Sequence, residues 1–305
     1  MKAITMYIII LTFFGMACQI KSVKSLIIGS SINSLRHQYI ARCFFSEKTI
    51  RDIMEKNKVC EVEDTDLDIV EFENIKDDAN VVEFLEISRL RLKGNVVLVY
   101  NPLSVKVGYS KYLPGCGEKT SEISKRNNAL AAINGGGFRN CQSENLKPMG
   151  VIIHDKKVLY NELGDDDIKQ DVVGFTEDGM LIVGKHSVNY LKSINIKEAV
   201  TFGPPLIVNG KRVPIKGDGG WGVAPRTAIG QREDGTVILM TLRGRSLKRV
   251  GATIKDVQDE MINYGAINAV NLDGGNSSTM CYNGNIVNKK EIKEIKVPTV
   301  ILVER

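Results

Sequence analysis

The chain has 305 residues, 43% of them hydrophobic and 25% charged, and its formal net charge is +5. This balance is typical of a globular protein and argues against a chain that is mainly disordered, collagenous or coiled-coil. Three scattered histidines do not suit a multi-histidine zinc hydrolase. No P-loop, GxSxG, HExxH or EF-hand pattern occurs, which disfavours an ordinary NTPase, lipase or zinc peptidase.

The net charge hides an acidic part and a basic part of the chain. Residues 47–88 hold fourteen Asp and Glu against five Lys and Arg, whereas the rest of the chain is basic. The basic part indicates either a solvated surface or an anionic partner such as a phosphorylated glycan. We expect no nucleic-acid partner, because no recognition motif or aromatic-laced basic tract accompanies the charge.

The N-terminal segment, residues 1–20, has the pattern of a secretory signal peptide. Lys2 precedes an uncharged run with an apolar centre at residues 7–14, and small residues at Gly15 and Ala17 suit cleavage after Ala17. An uncleaved membrane anchor and a lipid on Cys18 are the alternatives. All three predict a protein that is secreted or attached to the cell surface.

Export would allow the six cysteines to form disulfides. Six cysteines permit fifteen pairings, and the sequence does not choose among them. Proximity along the chain favours a bond between Cys43 and Cys60. It also favours a bond between Cys116 and Cys141. Cys281 follows a strand-like run and is expected to be a buried thiol.

Residues 21–93 are acidic, and no motif defines their role. Two helices are expected there, one of them over Glu47–Asn57, where Ile50, Ile53 and Met54 have helical spacing. The character of the sequence changes near residue 94, where apolar strand-like runs begin. We therefore expect the main domain to comprise residues 94–305.

Residues 94–305 alternate between strand-like runs and turn signals. Short helices are predicted over residues 118–128 and from Thr253, which forms a capping-box pattern with Asp256, and Gly265 suits the end of the second helix. Hairpins are predicted at residues 150–160, 172–183, 205–213 and 228–240. The expected fold class is α+β, with a mixed, largely antiparallel sheet and a few packed helices in a single main domain.

Two apolar strands end in a polar residue that glycines follow at once. Asn134 precedes three glycines at residues 135–137, and Asp273 precedes two at residues 274–275. Glycine lets main-chain N–H groups approach a ligand closely, and clusters of such groups bind anions. The alternative is a pair of tight turns without a ligand.

Arg226 is a third candidate, because it precedes an apolar strand and a guanidinium can bind a phosphate with two hydrogen bonds. A lone arginine is otherwise more often part of a surface salt bridge. The run 217–222 formally matches GxGxxG, but Pro225 follows where a helix would begin, so no dinucleotide site is expected. A loop in which Trp221 stacks on a sugar is the preferred interpretation.

Taken together, these motifs resemble the phosphodiester glycosidase family. The matching segments are residues 133–138, 203–210, 225–230 and 271–278, whose order and spacing also match, and the resemblance extends from about residue 94 to the C-terminus. Two positions depart from the pattern. Asn276 stands where the family usually has Gly or Ser, and Arg243 stands where bacterial relatives often have the acid of Asp-Gly-Arg.

The resemblance implies an exported glycosidase that hydrolyses a sugar-1-phosphodiester, similar to a GlcNAc-1-phosphodiester, on a surface or extracellular glycan. The phosphate leaving group is already a stable anion, so the reaction needs cations and N–H donors more than a general acid. Asp273 is implied as nucleophile, base or oxocarbenium stabiliser, Asn134 as the residue that orients sugar or water, and Arg226 as the phosphate ligand. The implied substrate-binding residues are Gly135, Gly136, Gly137, Thr227, Asn271, Gly274, Gly275, Ser277 and Ser278.

We expect no cofactor and no metal ion, and the expected partner is the phosphorylated glycan substrate. Three other classes stay open. A non-catalytic phosphoglycan-binding protein of the cell surface would use the same loops for affinity alone, and a structural wall-associated protein would neither bind nor hydrolyse. A metal-dependent phosphodiesterase would draw on Asp218 and Asp273, without a convincing ligand cluster.

Overall fold

The computed structural model describes residues 20–32, 38–61, 64–67, 82–140, 146–244, 251–288 and 294–305. Residues 1–19 of the predicted signal segment, including Cys18, lie outside the described residues, as does Cys141. Among the helices of the described ranges, none combines the length and apolar character that a membrane span requires.

Six α-helices and twenty-one strands occur in the described residues. The helices are α1 (Lys21–Ile32), α2 (Gln38–Phe44), α3 (Glu47–Lys56), α4 (Thr120–Arg126), α5 (Val188–Ser193) and α6 (Ile254–Asn263). The strands of the first half are β1 (Val82–Ser88), β2 (Lys93–Val99), β3 (Val105–Tyr109), β4 (Glu118–Lys119), β5 (Ala131–Asn134), β6 (Phe138–Asn140), β7 (Leu146–Pro148), β8 (Val151–His154), β9 (Lys157–Asn161) and β10 (Gln170–Thr176). The remaining strands are β11 (Leu181–His186), β12 (Ile196–Val200), β13 (Pro205–Val208), β14 (Lys211–Arg212), β15 (Arg226–Arg232), β16 (Val237–Leu242), β17 (Ala266–Leu272), β18 (Met280–Tyr282), β19 (Asn285–Ile286), β20 (Lys296–Val297) and β21 (Thr299–Val303).

The chain divides into two compact units, of which the first consists of residues 1–60 and 214–223. Its helices α1–α3 pack around a small core of Ile28, Ala41 and Ile50. The segment 214–223, which contains Trp221, returns to these helices, and the Cβ of an alanine at Gly222 would lie 2.3 Å from Ser30 Oγ. Three helices thus occupy the region where the sequence predicted two.

The second unit, residues 61–213 and 224–305, contains a seven-stranded sheet in the order β1-β2-β16-β15-β17-β13-β14. All its neighbouring strands are antiparallel. The central strands β15 and β16 are buried along nearly their whole length, and α6 packs near β15 through Met261, whose sulfur limits the space at Gly230. The acidic strand β1 belongs to this sheet, so the predicted boundary at residue 94 falls inside β2.

Two further sheets of five strands belong to the same unit, in the orders β11-β10-β12-β8-β9 and β19-β18-β5-β21-β3. Their strands are also paired antiparallel. Two strand pairs, β20-β4 and β6-β7, complete the unit. The α+β class is confirmed, and the predicted hairpins pair as expected, for example β8 with β9 across the turn at Asp155 and Lys156.

The local signals for helix ends are confirmed. Thr253 and Asp256 form the reciprocal capping box of α6, and Gly265 follows the helix with a φ of +81°. The helix predicted over residues 118–128 is shorter, because residues 118–119 form β4 and pair with β20 before α4 begins.

The two predicted disulfides are wrong. Cys43 and Cys60 are both thiols, and Cys43 is exposed on α2, whereas Cys60 follows α3 and donates its N–H to Pro214 O. Cys116 is a thiol as well, and its sulfur contacts the neighbouring Gly117 carbonyl. Cys281 is buried in β18, as predicted.

Candidate functional site

One edge of the seven-stranded sheet collects all four motif segments. Arg226 opens β15 and pairs with Leu242 at the end of β16, while Thr227 pairs with Leu272 at the end of β17. Because neighbouring strands are antiparallel, the start of β15 and the end of β17 lie side by side. Asp273 therefore follows its strand next to Arg226.

Asn134 reaches this edge from another sheet, at the end of β5, and is 1% exposed. Its Nδ2 donates to the main-chain oxygen of Asp273 at 2.6 Å. Its Oδ1 accepts from Thr227 Oγ1 at 2.8 Å and from the N–H of Thr279 at 3.1 Å. The side chain of Asn134 thus joins β5, β15 and the Asp273 segment, and acts on the main chain of Asp273.

Thr227 and Ser278 lie beneath this junction and are fully buried. Thr227 Oγ1 lies 3.0 Å from Ser278 Oγ, and Ser278 Oγ donates to the Arg226 carbonyl at 3.1 Å. These hydroxyls bond each other and the Arg226 main chain. Any role they have toward a substrate is therefore exerted through the position of Arg226 and Asn134.

The glycines that follow Asn134 are packed tightly against the protein itself. A Cβ on Gly135 would lie 2.8 Å from Thr299 Oγ1, one on Gly136 would lie 2.9 Å from the Thr201 carbonyl, and one on Gly137 would lie 2.8 Å from the Phe202 ring. Their N–H groups donate to the Thr299 carbonyl, Thr299 Oγ1 and the Thr201 carbonyl. A substrate contact through these three N–H groups would require these bonds to be exchanged.

The glycines that follow Asp273 form a sharper turn. Gly275 has a φ of +62°, a conformation that favours glycine, and its N–H donates to the Pro225 carbonyl at 2.8 Å. A Cβ on Gly274 would lie 2.8 Å from the same carbonyl, whereas one on Gly275 would meet open space. A 3₁₀ turn over Gly275–Ser277 then brings Ser277 back toward Asp273.

Asp273 is half-buried, and its carboxyl group accepts hydrogen bonds from the loop that follows it. Burial raises its pKa to about 6, although hydrogen bonds from the Ser277 side chain and the Gly274 N–H oppose this effect. At neutral pH the group is therefore an ionised carboxylate that takes up a proton just below neutrality. Such a group can serve as a base or as a nucleophile.

Two residues near Asp273 on the paired strands β15 and β17 have buried polar side chains. Arg226 is 4% exposed, and its Nε donates to the Ala252 carbonyl at 3.2 Å. Asn271, on β17, is 1% exposed, and its Nδ2 donates to the Gly203 carbonyl at 3.0 Å. The Oδ1 of Asn271 is buried and has no hydrogen-bond partner within the described residues. The Arg226 guanidinium and the unbonded Oδ1 of Asn271 thus lie on the neighbouring strands β15 and β17.

Several residues that shape the site carry no signal in the sequence. Thr201, Thr279 and Thr299 hold Asn134 and the first glycine loop, yet each is an ordinary threonine in or near a strand. Asp171 on β10 approaches the site through Gly203, since a Cβ on that glycine would lie 3.7 Å from Asp171 Cγ. Only long-range pairing brings these residues together.

No group of three or more His, Cys, Asp or Glu side chains that could hold a metal ion occurs among the described residues. Asp218, the other carboxylate considered for a metal-dependent reaction, belongs to the first unit, and its Oδ1 accepts the N–H of Gly220. Asp273 belongs to the second unit.

A family profile described as phosphodiester glycosidase matches residues 127–304, more than half of the chain. The chain belongs to the phosphodiester glycosidase family. The matched residues include all four motif segments and both glycine loops. The family assignment that the motifs indicated is thereby confirmed.

The SPbeta prophage-derived uncharacterized protein YomE of Bacillus subtilis (strain 168) is 33% identical over 186 residues. The match covers 56% of this chain and 27% of that protein, so this chain spans about a quarter of the relative's length.

Two solved structures share the fold. The zebrafish N-acetylglucosamine-1-phosphodiester alpha-N-acetylglucosaminidase catalytic domain, auto-inhibited by its pro-peptide, superposes with a TM-score of 0.63 at 22% identity, covering 76% of this chain and 86% of that chain. A protein of Burkholderia pseudomallei K96243, described by name as exported, gives a TM-score of 0.52 at 16% identity. The match covers 70% of this chain and 74% of that chain.

Proposed function

We propose that this chain is a hydrolase that cleaves the glycosidic C–O bond of a sugar-1-phosphodiester. The observation that supports this most strongly is the half-buried Asp273 carboxyl group, whose pKa is raised to about 6 by desolvation and which Ser277 and Gly274 hold by hydrogen bonds. It lies at the end of β17, next to the buried Arg226 at the start of β15. Membership of the phosphodiester glycosidase family supports the same reaction.

In the proposed reaction Asp273 acts on the sugar and Arg226 on the phosphate. Water adds to the anomeric carbon and gives a proton to the Asp273 carboxylate, while the bond between that carbon and the phosphate oxygen breaks. The products are the free sugar and a phosphate monoester, which carries one more negative charge than the diester. A buried guanidinium stabilises that developing charge more than water would.

Asn134 serves this reaction as a positioning residue. Its hydrogen bond to the main-chain oxygen of Asp273 fixes the point at which the chain leaves β17. Thr227 and Thr279 in turn fix the orientation of the Asn134 amide. A carboxylate must be held to within a fraction of an ångström to act as base or nucleophile, so this brace contributes to turnover without a substrate contact.

The proposed substrate is a GlcNAc-1-phosphodiester-like group on a surface or extracellular glycan, and the proposed location is outside the cytoplasm. The zebrafish enzyme with the same fold acts on such a phosphodiester by its name, and the N-terminal sequence has the pattern of an export signal. Attachment through an N-terminal membrane or lipid anchor is part of the same proposal.

The direct test is hydrolysis of a panel of sugar-1-phosphodiesters, beginning with GlcNAc, by the wild type and by Asp273→Asn. We expect release of free sugar by the wild type, and a rate about 100- to 10,000-fold lower for the variant. The matched control is Asp259→Asn, which removes an exposed carboxylate on α6 that pairs with Arg212. A folded Asp273→Asn protein with full turnover would overturn the assignment.

The second candidate function is a non-catalytic phosphoglycan-binding protein of the cell surface. It is favoured by the replacement of an acidic family residue by Arg243, which lies at the same sheet edge. Under this alternative the wild type binds sugar-1-phosphates with micromolar affinity and releases no sugar from any member of the panel.

A further inference from the structure

Charged residues lie at the edge of the seven-stranded sheet where β15 begins and β16 and β17 end. Arginines lie on the β16 side of this edge, and carboxylates lie on the β17 side. In the sheet order, Arg243 follows β16, Arg226 opens β15 and Asp273 follows β17. The segment before β13 comes next and contacts Asp171. Since neighbouring strands lie about 5 Å apart, the charge changes sign over one strand spacing, between β15 and β17.

Arg243 is held at this edge by main-chain contacts. Its N–H donates to the Lys93 carbonyl at 2.7 Å, which continues the pairing of β16 with β2. The next residue, Gly244, lies against Pro225, since a Cβ there would be 2.6 Å from Pro225 Cγ. Arg243 is therefore one strand away from the start of β15, where Arg226 lies.

The Arg243 side chain has a hydrogen-bonding deficit. Its Nε is buried and has no partner within the described residues. Buried donors are almost always hydrogen-bonded in native proteins, and an unsatisfied charged donor is costly. Because Arg226 pairs with Leu242, the side chains of Arg226 and Arg243 leave opposite faces of the sheet. An anion bound beyond the strand ends, where both guanidinium groups can reach it, would supply the missing acceptor.

The opposite side of the site has an excess of acceptors. Asn271 Oδ1 is buried without a partner within the described residues, and its Nδ2 is bonded to Gly203. Asp171 is partly buried beside Gly203, and this desolvation raises the pKa of its carboxyl group. The unbonded oxygen of Asn271 and the carboxyl group of Asp171, which lies opposite Lys185 in the β10–β11 pair, suit the hydroxyl and amide N–H groups of a sugar ring.

We propose that Arg243 belongs to the phosphate side of the site and Asp171 to the sugar side, so that the substrate lies along the sheet edge. The phosphate then lies over β16 and β15, the anomeric carbon at Asp273, and the sugar ring over β17 and the segment before β13. This orientation rests on the proposed function for its substrate class, and it identifies two specificity residues, Arg243 and Asp171.

The test measures binding rather than turnover, by calorimetry on the full chain. The probes are GlcNAc-1-phosphate and inorganic phosphate, and the variants are Arg243→Gln, Arg243→Lys and Asp171→Asn. Arg212→Gln is the matched control for the arginine, because it removes an exposed guanidinium from β14, the last strand of the sheet order. Asp259→Asn is the matched control for the carboxylate. Thermal melting confirms that each variant is folded.

Arg243→Gln should lower the affinity for both probes by about tenfold or more, and Arg243→Lys should recover part of that lost affinity. Asp171→Asn should lower the affinity for GlcNAc-1-phosphate by about fivefold or more. It should change the affinity for inorganic phosphate by less than about twofold. Both control variants should bind like the wild type.

Three results would overturn the orientation. The first is a wild type that binds neither probe, and the second is an Arg243→Gln protein that binds phosphate with wild-type affinity. The third is an Asp171→Asn protein whose affinity falls equally for both probes. Failure of the proposed hydrolase activity is distinguishable from these results. A wild type that binds GlcNAc-1-phosphate with this pattern and releases no sugar from any diester would retain the orientation and abolish the proposed reaction.

Discussion

The two glycine loops have the same sequence pattern but differ in what their polar groups do. After Asn134, the N–H groups of Gly135, Gly136 and Gly137 all donate to protein acceptors, and the Asn134 side chain is bonded at both ends. After Asp273, the loop holds a half-buried carboxyl group whose pKa is raised to about 6. The first loop braces the protein, whereas the second carries the carboxyl group that we propose reacts, so a strand that ends in a polar residue and glycines does not by itself indicate a ligand site.

The largest expected effect on stability comes from removing the brace. Asn134→Leu leaves the Asp273 carbonyl and the Thr279 N–H without a partner and removes one of the two partners of the Thr227 hydroxyl, and we expect the free energy of unfolding to fall by about 3 kcal/mol or more. Denaturant unfolding measures this change. Thr227→Val removes only one of these partners and should lower the free energy of unfolding by about 1 kcal/mol. Equal losses for the two variants would contradict a brace centred on Asn134.

The glycines of the first loop give the next largest effect. In Gly136→Ala the new methyl group would press on the Thr201 carbonyl and on Val200, so we expect a loss of about 2–3 kcal/mol in the free energy of unfolding. Chemical denaturation of the variant gives the value. A loss below about 0.5 kcal/mol would mean that close packing is not the reason for glycine at this position.

Removing the charge of Asp273 should stabilise the protein. The folded-state pKa of about 6 lies above the ordinary value of 3.8, so the free energy of unfolding of the wild type falls as the pH rises from about 4 to about 6. Asp273→Asn lacks this titration and should be more stable above pH 6 by at most about 3 kcal/mol, with the gain disappearing near pH 4. Melting curves across this pH range measure it. A gain that is independent of pH would contradict the raised pKa.

The smallest expected effect is that of Gly275→Ala in the second loop. Its Cβ meets open space, so only the positive φ opposes alanine, and we expect a loss of about 1 kcal/mol in the free energy of unfolding. The comparison with Gly136→Ala is the informative quantity. If Gly275→Ala destabilises the protein more than Gly136→Ala, the distinction between a packed loop and an open loop fails.

Local structure could be predicted from the sequence where a short motif fixes it. The capping box at Thr253, the glycine at residue 265 and the hairpin turns depend on neighbouring residues alone, and the structure has them. The α+β class follows from many such turns between apolar runs. The acidic strand β1 was missed, because its partner β2 supplies the hydrogen bonds and the burial that make it a strand.

The content of the site could be predicted only in part. The motifs named Asn134, Arg226 and Asp273, and the structure brings these residues to one edge of the sheet. Their partners Thr279 and Ala252 are distant in sequence from Asn134 and Arg226, respectively, so no local pattern could show them. The pKa of Asp273 depends on how far the folded chain desolvates its carboxyl group, which is a property of packing.

The pH dependence of kcat/KM for hydrolysis of a GlcNAc-1-phosphodiester tests the role of Asp273 most directly. If the ionised carboxylate acts as base, nucleophile or oxocarbenium stabiliser, kcat/KM rises with pH below about 6 and becomes constant above it. Asp171→Asn should keep this acid limb at the same pH. A rate that falls as the pH rises through 6, or an acid limb near pH 4, would contradict the assignment.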